Sequence, residues 1–90
     1  MEIFIVTAEY VYDGIVSQWI FTDRDAAIDK GVVIGVAIDR GACVGDVVTV
    51  KGPFAVGEAT NVDGRTIYSR NLRFEKAEAM KRVRKAREIA

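Results

Sequence analysis

Asp13-Gly14 stands between two runs of β-branched and aromatic residues, EIFIVTAEYVY over 2–12 and IVSQWIF over 15–21. No other feature restricts the fold of this chain as strongly. Asp-Gly supplies the positive-φ residues of a tight turn between antiparallel strands, so the first quarter of the chain predicts a β-hairpin. A two-residue turn sets Tyr12 opposite Ile15, Tyr10 opposite Ser17, Ala8 opposite Trp19 and Val6 opposite Phe21. One face of the pair then collects Phe4, Tyr10, Tyr12, Trp19 and Phe21. The other collects Ile3, Ile5, Val11, Val16 and Ile20, interrupted by Thr7, Glu9 and Gln18. Both faces are apolar over residues 3–6, which predicts that this end of the first strand lies centrally in a sheet.

Thr22-Asp23-Arg24-Asp25 reads as a helix start, with Thr22 as the cap and the aspartates at the positive end of the helix dipole. Two continuations compete. A long helix to about Arg40 puts Ala27, Gly31 and Gly35 on one side, flanked by Ile34 and Ile38, with Gly41 as the stop. Alternatively the helix ends near Lys30-Gly31, and residues 32–38 (VVIGVAI) form a strand. The β-branched run and two interior glycines, each costing a helix about 1 kcal/mol, favour the strand. The capped start, the small-residue stripe and the Asp39-Arg40-Gly41 ending favour the long helix. The long helix is the reading adopted, with the strand as its alternative.

Beyond it, residues 47–51 (VVTVK) predict a third strand, Gly52-Pro53 a turn, and residues 54–60 a fourth strand. Asn61-Val62-Asp63-Gly64 predicts a second hairpin turn into a strand over 65–70. From Leu72 to the last residue the chain lacks Gly and Pro and is rich in helix formers, with Asn71 as cap and 73–88 expected to be dispensable for the core. The predicted order is β-β-α-β-β-β-α, an α+β fold with a mostly antiparallel sheet and a basic C-terminal helix.

Ninety residues, half of them apolar, suit one globular domain. Charge divides it. Residues 1–72 carry six Lys/Arg and ten Asp/Glu, and residues 73–90 carry seven Lys/Arg and three Glu. The zero net charge therefore hides an acidic body of −4 and a basic tail of +4. Clustered charge of this kind steers association with partners. Absence of a long apolar run argues against a membrane-spanning helix. Glu2 near the start argues against a signal peptide, and the single Cys43 fits a reducing cytoplasm. With no His, the commonest general base and metal ligand are missing.

Four features are candidates for function. Lys81, Arg82, Arg84, Lys85 and Arg87 place five cations within seven residues, with Met80, Val83 and Ala86 stepping at helical spacing and Phe74 and Ala77 preceding them. Such a helix is a solvated surface element, a docking element for an acidic body of the same or a second copy, or a polyanion-binding element. Tyr10, Tyr12 and Trp19 combine apolar bodies with polar tips and are candidate protein-binding anchors, whereas Phe4 and Phe21 read as core. Glu9, Asp13, Asp23, Asp25 and Asp29 fall at opposite ends of a strand and read as capping and solvation, not as one metal site. Cys43 has neither His nor a cation cluster to activate it and reads as a small hydrophobe. No phosphate loop, triad, zinc spacing or supported carboxylate pair is present, so no catalytic residue, cofactor or metal is expected.

Ile3-Phe4-Ile5-Val6, Glu9-Tyr10-Val11-Tyr12-Asp13-Gly14, Trp19-Ile20-Phe21-Thr22 and Ala26-Ala27 resemble the opening of short uncharacterised phage and bacterial proteins. These share a Tyr-Asp-Gly hairpin followed by a capped helix. The likeness covers residues 3–29 and carries no catalytic residues. It implies a phage or mobile-element accessory protein that binds and blocks a host protein. The functional expectation is thus a non-enzymatic interaction module that inhibits a host or defence protein. A nucleic-acid-binding accessory protein using the basic helix is the alternative, and a homodimer is compatible with either.

Overall fold

The computed structural model describes residues 2–55 and 65–89. Six elements run in the order β1 (Glu2–Tyr10), β2 (Gly14–Phe21), α1 (Arg24–Asp39), β3 (Val47–Ala55), β4 (Thr66–Asn71) and α2 (Leu72–Ile89). The strands form one antiparallel sheet, β2-β1-β3-β4, with α1 across one face. The fold is α+β, with one strand fewer among the described residues than the seven-element order predicts.

The difference lies at Gly52-Pro53, which does not turn the chain. β3 runs through it, with a cis peptide between the two residues and a register shift against β1 between Ile3 and Ile5. A proline has no N–H to give a ladder and is accommodated in a sheet at such a bulge. The Gly52 N–H donates to the Arg65 carbonyl (3.0 Å), so pairing towards the neighbouring strand persists. Phe54 and Ala55, read as the start of a fourth strand, belong to β3. The predicted Asn61–Gly64 turn lies outside the described residues.

The first hairpin forms, but with a different register. Residues 11–13 are the loop, Tyr10 pairs with Gly14, and a bulge near Ala8 and Glu9 leads to Ala8↔Ser17, Val6↔Trp19 and Phe4↔Phe21. The sequence reading set each β1 residue before the bulge against a partner two positions further along. A slip of two keeps these side chains on their predicted faces, because the strand period is two, whereas beyond the bulge Ile15 pairs with Glu9 and not with Tyr12. Phe4, Val6, Trp19 and Phe21 therefore still lie together, on the side covered by α1. Gly14 has φ +90°, a value open to glycine and costly for a β-branched residue. Gly14→Val should destabilise the domain by about 1–3 kcal/mol, read as a lowered urea midpoint. An unchanged midpoint would show that the loop does not hold the register.

α1 is the long helix, with residues 32–38 inside it. Its cap is Asp23 and not Thr22: Asp23 accepts from the Ala26 N–H at 3.2 Å. A carboxylate there adds charge to the capping hydrogen bond at the positive helix end. Ala27, Gly31, Ile34, Gly35 and Ile38 are buried, and a Cβ on Gly31 would fall 2.6 Å from Val50 Cγ2. The small-residue stripe lets the helix backbone approach β3 and β4 more closely than any side chain allows. That contact, absent from local propensity, is what offsets two glycines and six valine or isoleucine residues in a helix. The core is Phe4, Val6 and Ala8 of β1, Val48 and Val50 of β3, Ala27, Ile34 and Ile38 of α1, and Leu72.

Candidate interaction surface

One end of the sheet gathers the β1–β2 loop, the start of β3 and the start of α2. Asp46 ties them. Its N–H donates to the Glu9 carbonyl (2.9 Å), its carbonyl accepts from the Leu72 N–H (2.7 Å), and its carboxylate accepts from the Val11 N–H (3.4 Å). The base of α2 is fixed further by four side chains. Asn71 Oδ1 caps the Phe74 N–H at 2.9 Å. Leu72 is 1% exposed, inside the core. Arg70 Nε donates to both Glu75 carboxylate oxygens, at 2.8 and 3.1 Å, and that hydrogen-bonded carboxylate raises the Arg70 pKa above its ordinary value. The Arg73 guanidinium lies 4.8 Å from the centre of the Tyr12 ring.

Past this anchor α2 leaves the body. The molecule measures 57 × 23 × 21 Å, and its radius of gyration is 15.6 Å, against about 12 Å for a compact chain of this length. Phe74, Met80 and Val83 are exposed. The stripe read from the sequence is split, since Phe74 and Val83 are nine residues apart, about two and a half turns, and so point to opposite sides. Ala79, Met80, Val83, Arg84 and Arg87 instead line one shallow groove of about 380 Å³. A second, of about 330 Å³, is lined by Phe74, Glu75, Glu78, Ala79 and Arg82. Met80 is seven residues, about two turns, from Arg73 and shares its side of the helix, the side on which Tyr12 meets the base.

The five tail cations all lie on this projecting part. Lys81 pairs with Glu78 (3.4 Å), while Arg82, Arg84, Lys85 and Arg87 have no ion pair among the described residues. Lys81 and Arg87 stand about 13 and 22 Å along the axis from Leu72. The screening length at physiological salt is about 8 Å, so the acidic body scarcely acts on them.

The three aromatic candidates are not brought together. Tyr12 is 80% exposed in the loop, with Arg73 on its ring. Tyr10 is half-buried at the end of β1. Trp19 is half-buried against the core, with the Lys30 ammonium 5.1 Å from its ring centre. Its place in β2 is five residues, about 16 Å, from Gly14, the partner of Tyr10. Asp13 lies in the loop, Asp23 caps α1, Asp25 and Asp29 are exposed along it, and Glu9 is half-buried in β1. No cluster of metal-ligating side chains occurs among the described residues. Cys43 is half-buried against the core, its Sγ 3.9 Å from the Val44 carbonyl oxygen. No described helix is long and apolar enough to cross a membrane.

Sequence reasoning passed over Asp46 and Leu72. Asp46 sits beside a glycine like any loop residue, and Leu72 looks like the first residue of an exposed helix. Neither has a local signature, because their partners are 26 or more residues away, or across the core. No family model, curated protein or solved structure matches this chain.

Proposed function

We propose that this protein is a small non-enzymatic interaction module that presents α2 to an acidic-rimmed apolar groove on a partner protein. The observation that carries this reading is the contrast along α2. Its first turn is fixed to the body by capping, burial, an ion pair and a ring contact, and its remaining turns stand free with Met80 and Val83 among cations. A helix held out in this way loses little further entropy on docking. Apolar residues three and four apart, with basic neighbours, suit helix-in-groove recognition. Tyr12 extends the surface at its base; Tyr10 and Trp19 contribute by packing. In the phage or mobile-element setting that the resemblance implies, occupying the groove would inhibit the host protein.

Distance from the acidic body favours a second reading, nucleic-acid binding by Lys81, Arg82, Arg84, Lys85 and Arg87. Fluorescence anisotropy with duplex and single-stranded oligonucleotides separates the two. The protein-binding reading expects no sub-micromolar binding at physiological salt. It also expects a protein captured from host lysate to be lost with Met80→Glu and Val83→Glu but retained with Ile20→Glu, a change on the sheet face opposite α1. Salt-steep binding with a log–log slope of roughly −3 to −4.5, abolished by reversing Arg82, Arg84 and Lys85 to Glu, would replace it with the second reading.

A further inference from the structure

The outward face of α1 is apolar where a surface helix is ordinarily polar. Val32, Val33 and Val36 are 41, 59 and 37% exposed in a helix whose opposite side fills the core. Valine is disfavoured in helices by its branched Cβ and gains nothing from water, so three on the wet side call for a cover. The charges around them say what kind. Asp29 lies one turn before the valines and Arg40 one turn after, eleven residues or about three turns apart and so on the same outward side. Both are exposed, and neither has an ion pair among the described residues.

These positions are symmetric about a point between Ile34 and Gly35. Residues 33 and 36, 32 and 37, and 29 and 40 are equidistant from it. We infer that α1 is a self-complementary surface on which a second copy of this chain packs antiparallel about a two-fold axis. Val33 of each copy meets Val36 of the other, Val32 meets Ala37, and Asp29 meets Arg40 twice over. A parallel arrangement would set Asp29 against Asp29 and Arg40 against Arg40, so charge selects the antiparallel one. The contact is independent of α2, which each protomer leaves free. Two helices crossing over three turns bury less than the ~1,200–2,000 Å² of a standard interface, so association is weak, with Kd on the order of 100 µM.

Sedimentation equilibrium on the full chain, from about 10 µM to 1 mM, spans that range. The wild type should pass from monomer to dimer, and added salt should weaken the dimer. Val33→Glu should abolish association with the thermal midpoint preserved, since the side chain is outside the core. Asp29→Arg and Arg40→Asp should each weaken it by about tenfold or more. The double swap, Asp29→Arg with Arg40→Asp, should restore it, because each new charge meets its opposite across the axis. A wild type monomeric throughout the range would overturn the inference. So would a double swap no better than the single changes, or a dimer that survives Val33→Glu and is lost when residues 76–90 are removed.

Discussion

Gly52→Ala should cost the domain about 3 kcal/mol or more. Gly52 has φ +148°, in a region that residues with a Cβ rarely enter, and holding alanine there costs on the order of 1–3 kcal/mol. The added methyl also has nowhere to go. It would stand 2.7 Å from Phe4 Cδ1 and 2.9 Å from the Ile3 carbonyl oxygen. The oxygen belongs to the backbone of the central strand, and Phe4 is 6% exposed, so neither yields without disturbing the sheet or the core. Urea denaturation of the variant should show a much lower midpoint with an unchanged slope. A shift of less than about 1 kcal/mol would mean that the β3 bulge rearranges freely and does not pin the register against β1.

Leu72→Ala should be nearly as damaging, at about 2–5 kcal/mol, the range for emptying a fully buried leucine site. Leu72 is among the largest fully buried side chains, although it is the first residue of a helix that otherwise stands in solvent. Its loss leaves a cavity in the core cluster and loosens the α2 base at the same time. Removal of residues 76–90 should by contrast cost less than about 1 kcal/mol, because the described side chains beyond Glu75 are exposed or half-exposed and belong to no core cluster. The boundary of the folded body is therefore near Glu75, and a truncation after Asn71, which the helix-forming composition and thin apolar stripe of the tail would recommend, removes a core residue. Thermal denaturation of both variants checks the pair. Equal losses would show that the outer turns of α2 contribute to the core after all.

Half of the candidate surface was legible in the residues themselves. The basic cluster on α2 could be read because helix formers and cations are properties of the chain, and five cations in seven residues are visible wherever the helix lies. Tyr12 could be read as exposed from its place beside Asp13-Gly14, but its contact with Arg73 could not, since it joins residues 61 positions apart. The grouping of Phe74 with Met80 and Val83 failed for a geometric reason: spacing by threes and fours drifts around the helix, and nine residues carry it to the far side.

The sequence by itself determined the alternation of faces in β1 and β2, the start of α1 to within one residue, a stop signal at Gly41, and the charge division between body and tail. These follow from short-range physics: a period of two, a carboxylate within reach of an N–H three residues on, a glycine at Gly41 with φ +76°. Only the tertiary structure decided that residues 32–38 are helical, that Gly52-Pro53 bulges instead of turning, and that α2 stands away from the body. Each of those outcomes turns on a contact with something distant. Gly31 and Gly35 gain their place from Val50, Tyr68, Val48 and Arg70 beneath them. Gly52 is fitted against Phe4 and Ile3 of the neighbouring strand. Leu72, locked to Asp46 and the core, fixes the direction in which the basic helix leaves.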